Sequence, residues 1–287
     1  MALPQMKFCF ALALLGIFPA CSAIARQAPN AAPPPPDAAA QQQLLEAMGN
    51  YARQYVSNLP NFVCLQVTRE FEAGKTPKHW RQRDAVTSRL VFDNGKEERT
   101  PQLVNDKPVA SGLVRPRSRL TTVGEFGILV GNVFGSASDS SFTWKGWEVL
   151  RGKRLAVFDY SIDLAHSTVK LSLSDLAQAL VAYHGSIYAD PETGGIWRIT
   201  EIAVDIPPDV KTKSFSKIID YGEVPIGGTP YLLPLQASVW MTTDSNNVRN
   251  DIEFADYRKF EADSKITFGA DDTQKGAQPV NPAPPPP

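Results

Sequence analysis

The nearest approach to a catalytic spacing in this sequence is Ser214 with Lys217, in Ser214-Phe215-Ser216-Lys217. The S-x-x-K serine of the enzymes that use it opens a helix, with further motifs downstream. Here the run reads as a strand, where side chains alternate, so Ser214 and Lys217 face opposite sides. The three histidines, His79, His166 and His184, are scattered, and none is spaced with another ligand. Each reads as a solvated or hydrogen-bonded side chain unless the fold brings a base's partner near it. Asp190 with Glu192 and Asp159 with Asp163 are the closest carboxylate pairs. The first lies in a turn, the second on a solvated strand face, and acid–base work needs two carboxylates across a cleft. There is no G-x-S-x-G, no P-loop, no G-x-G-x-x-G after a strand, no H-E-x-x-H and no C-x-x-C. No catalytic residue, no metal ligand and no cofactor follow from these patterns, and the binding residues stay open.

Other residues point to binding as readily as to packing. Arg115-Pro116-Arg117-Ser118-Arg119 is the densest basic cluster, with Lys78, Arg81 and Arg83 a looser one. Solvated loop charge is the plain reading of both, because the chain has 29 basic and 30 acidic side chains. That balance excludes a nucleic-acid partner held by general charge attraction. Trp80, Trp144, Trp147, Trp197 and Trp240 could line a ligand cavity, though aromatics on strands are more often core.

The N-terminus carries a secretory pattern. Lys7 precedes an apolar run at 8–18, and Ala23-Ile24-Ala25 sets small residues before Arg26, predicting cleavage between Ala25 and Arg26. The run is too short to span a bilayer, and no second stretch in the chain is long enough. The expected location is the periplasm or the exterior. Phe18-Pro19-Ala20-Cys21 is a poor match to a lipidation box, but a lipid on Cys21 would anchor the chain to the outer membrane. Cys9 and Cys21 fall in the leader, so Cys64 has no partner for a disulfide in the mature chain. Its neighbours Phe62, Val63 and Leu65 make it a small buried hydrophobe.

Residues 26–36 are a Pro/Ala linker, and residues 271–287 are a second Pro-rich tail expected to be disordered. One domain over 37–270 remains. Asp37 can cap a helix whose Leu44, Met48, Tyr51 and Tyr55 form one apolar stripe, ended by Asn58 and Pro60. Strand patterns then dominate. Val63, Leu65 and Val67 alternate with Cys64, Gln66 and Thr68; Val86, Ser88, Leu90 and Phe92 precede the hairpin signal Asn94-Gly95. Phe158, Tyr160 and Ile162 alternate with Asp159 and Ser161, and Ile202, Val204 and Ile206 with Ala203 and Asp205. Asp190-Pro191-Glu192-Thr193-Gly194-Gly195, Gly227-Gly228 and Asp244–Asn247 are turns. Thr122 and Glu125 have capping-box spacing for a short helix over 123–134. Residues 174–183 read as a turn and then a strand running to Tyr188. The fold class is mainly β (α+β). It comprises about ten or eleven antiparallel strands in a curved half-barrel, an N-terminal helix and a short mid-chain helix.

Residues 50–71 (NYARQYVSNLPNFVCLQVTREF) resemble the opening of a secreted acidobacterial protein family with no established reaction. GEFGILVGNVF (124–134), AYHGSIYADPETGGIWRI (182–199), DYGEVPIGGTPYLLPLQASV (220–239) and EFADYRKFEADSKITF (253–268) continue that resemblance. A more distant likeness is to the LolA, LolB and RseB lipoprotein-carrier superfamily, through Asp190, Thr193, Gly194, Arg198 and Tyr231-Leu232-Leu233-Pro234. It implies an open β half-barrel covered by helices, with a hydrophobic cavity for acyl chains; no binding residue of that superfamily matches by motif.

The reading that results is a non-enzymatic periplasmic or secreted protein. It binds a lipid, a lipoprotein acyl chain or another amphipathic ligand in the concave face of the sheet. Two alternatives stay open: a module tethered by its Pro-rich tails to envelope proteins, and a secreted hydrolase with a dispersed site.

Overall fold

The computed structural model describes residues 33–76, 79–109, 125–172 and 178–260. The leader with Cys21, Ala25 and Arg26, the basic cluster at 115–119 and the tail at 271–287 lie outside them. Helix α1 (Ala38–Asn58) starts where expected: Asp37 accepts a hydrogen bond from the Ala40 backbone N–H at 2.8 Å, satisfying one of the free donors of the first turn. Strands β1 (Phe62–Gly74), β2 (Arg81–Asp93), β3 (Lys96–Val104) and β4 (Lys107–Pro108) follow. After α2 (Ile128–Phe134) come β5 (Ser141–Leu150), β6 (Lys153–Ile162), β7 (Lys170–Ser172), β8 (Gln178–Leu180) and β9 (Ala182–Ala189). The chain ends with β10 (Ile196–Val204), β11 (Thr212–Ile226), β12 (Thr229–Thr243) and β13 (Asn246–Lys259).

Eleven strands form one open antiparallel sheet in the order β4-β3-β2-β1-β13-β12-β11-β10-β9-β6-β5, and β7 with β8 forms a small separate ribbon. The two wings are meanders, as the short turns require, but they meet through β1 and β13, the first and last long strands of the described chain. At strand spacing, eleven strands laid flat would be about 48 Å wide. Yet one continuous core gathers Leu90 of β2, Phe254 of β13, Ile219 of β11 and Phe158 of β6 around Met48 and Tyr55 of α1 and Val130 of α2. A helix is only about 10–12 Å across. The sheet must therefore curl around the helices, as a half-barrel with β4 and β5 as its free edges.

Three local features depart from the sequence patterns. Helix α2 begins at Ile128 after Gly127 at φ 111°, with no side-chain cap, and Thr122 lies outside the described residues. Glu125 lies before it, and its carboxylate goes to Arg99 instead. In β1, Cys64 pairs with Leu90 and joins the core, so Cys64, Gln66 and Thr68 face inward and Val63, Leu65 and Val67 outward. In β10, Ile199 and Ala203 belong to the inward-facing clusters, so Ile202 and Val204 point outward. Residues 173–177 lie outside the described part, and the strand continuing to Tyr188 is present as β8 and β9.

The Asp190–Gly195 turn holds α1 to the sheet. The Gly194 N–H donates to the Asp190 carbonyl at 2.9 Å, and Gly194 sits at φ 71° against the helix. A Cβ there would fall 2.5 Å from the Ala47 carbonyl oxygen. The Tyr55 hydroxyl ties the far end of α1 to the Leu232 carbonyl at 2.9 Å. Gly194→Ala must adopt a left-handed conformation and also displace the helix backbone. It is expected to cost about 2 kcal/mol or more, read as a lower midpoint in urea. An unchanged midpoint would mean that this turn does not press on α1.

Candidate functional site

The inner face of the sheet carries a polar row in the middle of an apolar surface. Register aligns Glu70 of β1 with Asn250 of β13, Asn250 with Val239 of β12, Val239 with Lys217 of β11, and Lys217 with Glu201 of β10. Four strand steps separate the ends, about 19 Å along the sheet. On one side the next row runs Ile252, Ala237, Ile219, Ile199, Ile187, Phe158. On the other side lie Val248, Met241 and Phe215, continued by Ala203, Tyr183 and Ile162. Charged groups with apolar neighbours on both sides are the costly arrangement, tolerated only when they are paired.

The pairing here is incomplete. Glu70, Lys217 and Glu201 are 9%, 7% and 4% exposed, so water solvates none of them well. The Lys217 Nζ lies 4.0 Å from Glu201 Oε1, at the limit of an ion pair and too long for a hydrogen bond. Glu70 Oε2 is buried and has no hydrogen-bond donor. Beside Glu201, Gly185 of β9 lets the Tyr160 ring cross it; a Cβ there would meet that ring and the Thr200 carbonyl oxygen. The Tyr160 hydroxyl donates to that carbonyl at 2.7 Å. Burial, reinforced by the Glu201 charge, pushes the Tyr160 phenol well above its ordinary pKa and the Tyr183 phenol up to about 12. Both phenols are therefore neutral at any working pH and serve as dipoles beside the row.

A second polar group surrounds Glu125, just before α2. The Arg99 guanidinium donates to Gln66 at 2.8 Å, to Glu97 at 2.6 Å and to Glu125 at 2.8 Å. Glu125 is fully buried, its Oε1 has no donor, and its backbone carbonyl accepts the Tyr221 hydroxyl at 3.0 Å. Burial, opposed by Arg99 and aided by the Glu125 charge, pushes the Glu97 carboxyl up. Two carboxylates do meet here, but around one arginine in the core and not across a cleft. Cys64 packs nearby, and burial raises its thiol to about 12, as an inert hydrophobe requires.

The residues singled out by spacing are dispersed. Ser214 is exposed on the outer face while Lys217 is buried on the inner one, so the S-x-x-K pair is split across the sheet. His79 is exposed in a loop; His166 bonds to Asp163 at 2.7 Å; His184 faces outward, level with Ser161 of β6. Asp190 accepts the Glu192 N–H at 2.9 Å and pairs with Lys153, which fixes the turn. Asp159 holds Lys145 and Ser186 on the outer face, well apart in role from Asp163. The tryptophans are half-buried. Trp80 stacks on Arg249, Trp197 lies under Arg151 and Lys153, and Trp144 and Trp147 pack together on β5. Among the described residues no group of three His, Cys, Asp or Glu side chains could hold a metal ion. No described helix is long and apolar enough to cross a membrane.

Spacing did not find the polar row, although a signal existed. In β10, β11 and β13 one polar residue interrupts an apolar alternation: Ile199-Glu201-Ala203, Phe215-Lys217-Ile219 and Val248-Asn250-Ile252. Register alone shows that the three interruptions fall in one row, with Val239 of β12 between Lys217 and Asn250.

Arg99 is bonded to both Glu97 and Glu125. A carboxyl whose folded-state pKa is raised, as that of Glu97 is, adds stability at low pH and loses it as pH rises through that pKa. Arg99→Met removes the compensating cation. It is expected to cost about 3–5 kcal/mol near neutral pH and less in mild acid, where the Glu97 carboxyl takes up a proton. Denaturant melts at the two pH values check this, and equal losses at both would contradict it.

No family model and no curated protein matches the chain. Among solved structures, it is similar to a LolA superfamily protein from Nitrosomonas europaea. That likeness has 11% identity, covers 77% of this chain and 93% of that one, and has a TM-score of 0.37. It is also similar to a DUF1329 family protein from Desulfovibrio piger, at 9% identity over 78% of this chain and 95% of that one, with a TM-score of 0.39. These are distant likenesses of fold, and no residue role and no ligand follows from them.

Proposed function

We propose that this chain is a non-enzymatic binding protein of the periplasm or cell exterior, released by cleavage after Ala25. It takes an amphipathic ligand on the concave face. The observation that carries this reading is the buried row with an orphaned Glu70 oxygen and a loosely held Lys217. A head group offering a donor to Glu70 and an acceptor to Lys217 would complete it. Acyl chain laid along the flanking Ile252–Phe158 and Val248–Phe215 rows would gain about 0.8 kcal/mol per buried methylene. The ligand thus supplies what the sheet lacks at both kinds of position. The tethered-module alternative needs no such row, and the hydrolase alternative needs a cleft constellation that the described histidines and carboxylates do not build.

The test is native mass spectrometry of chain 26–287, purified from a periplasm without detergent and then extracted with solvent. The expected result is a discrete added mass that leaves with the solvent as a lipid. A bare protein mass, with no uptake of added fluorescent fatty acid or phospholipid, would contradict the proposal.

A further inference from the structure

The pentapeptide Ala-Pro-Pro-Pro-Pro occurs twice in the chain, at 32–36 and at 283–287. Pro34 of the first copy meets the edge strand β5 just before α1 begins. The Trp147 indole N–H donates to the Pro34 carbonyl at 3.2 Å, and the Gln41 side chain donates to the Pro36 carbonyl at 2.8 Å. Trp147 does not act alone. A register shift between Trp144 and Gly146 inserts one extra residue, so Trp144 stands opposite Phe158 and Trp147 opposite Ala156, both on the inner side. Their rings meet edge to face at 5.1 Å, and the Arg154 guanidinium lies 5.6 Å from the Trp147 ring centre.

A tryptophan N–H aimed at a proline carbonyl, beside further aromatic surface, is the chemistry that reads a polyproline II segment. Such a segment is extended beforehand, has no backbone donors of its own in a proline run, and presents its carbonyls outward. Pro34 and Pro35 remain exposed, so the first copy is held by few contacts and can be exchanged. The second copy is within reach. From β13 to β5 is six strand spacings, about 29 Å. A flexible chain as long as the 22 residues between Phe260 and Ala283 spans about 26 Å.

We infer that the Trp144–Trp147 surface of β5 is a polyproline dock, and that the C-terminal pentapeptide 283–287 of the same chain competes with residues 34–36 for it. The two ends of the chain then share one site. Whatever draws the C-terminal tail away, or the linker off Trp147, decides which end is free to reach a partner. The inference does not depend on the concave ligand.

The experiment follows the indole ¹⁵N–¹H resonance of Trp147, assigned with Trp147→Phe, in the full mature chain. In P33G/P34S/P35G/P36S the resonance is expected to stay near its hydrogen-bonded position, because the C-terminal copy takes over. Adding P284G/P285S/P286G/P287S to that variant should move it to the position of a free indole. A synthetic peptide of residues 281–287 should bring it back. A free-indole position already in the first variant, with no response to the peptide, would overturn the inference. A first-variant signal that reverts on dilution would assign the dock to the tail of a second copy and overturn occupancy within one chain.

Discussion

An eleven-stranded sheet has two large faces, and among the described residues helices of 21 and 7 residues lie against one of them. A helix footprint of about 10 Å by 32 Å is a small part of a sheet about 48 Å wide. Everything else in the molecule answers that shortfall. The sheet curls until side chains from both wings touch α1 and α2. The helix is held at fixed points, with Gly194 against its middle and Tyr55 reaching the Leu232 carbonyl. The Tyr221 hydroxyl joins the Glu125 carbonyl just before α2, while Arg99 ties that residue's side chain to β3.

Beyond the helices the same face changes character. An apolar surface left there would favour collapse or association; a polar surface would belong in water. The chain does neither, placing one polar row between two apolar ones and leaving its charges incompletely matched. A folded domain has little to gain from this by itself, since well-packed hydrophobic residues in place of a buried ion pair are often neutral or stabilising. On the proposed reading, the row is kept for a second molecule with a polar end and an apolar body. The Tyr160 and Tyr183 phenols, kept neutral by burial and by Glu201, give that surface hydroxyl groups without adding charge.

Much of the scaffold was legible in the sequence because its signals are local. Asp37, the apolar stripe through Tyr55, the Asn94-Gly95 hairpin and the Asp190–Gly195 turn each act within a few residues. The facing of β1 was not legible, because valines lie on its outer side while Cys64 and Gln66 lie on its inner side. Composition favours the wrong face there, and only pairing with Leu90 and Phe254 corrects it. Helix α2 shows the same limit. Glu125 has the spacing of a cap, but the Arg99 guanidinium, 26 residues earlier, is the stronger partner. The separation of Ser214 from Lys217 needs only strand alternation. The alignment of Lys217 with Glu201 and Asn250 depends on register between strands distant in sequence, which local pattern does not contain. Motifs that carried the family resemblance, the Asp190 turn and Tyr231-Leu232-Leu233-Pro234, anchor the helix and strands and do not touch the polar row.

On the proposed reading, Glu201 and Lys217 are kept for a ligand at the expense of stability. The direct measurement replaces both, E201L with K217M, and records urea stability of delipidated protein together with retention of a fluorescent fatty acid. The expected result is a midpoint equal to or higher than that of the unsubstituted protein, and roughly tenfold or greater loss of probe affinity. A lower midpoint with unchanged probe binding would show that the pair belongs to the fold alone, and would contradict the account.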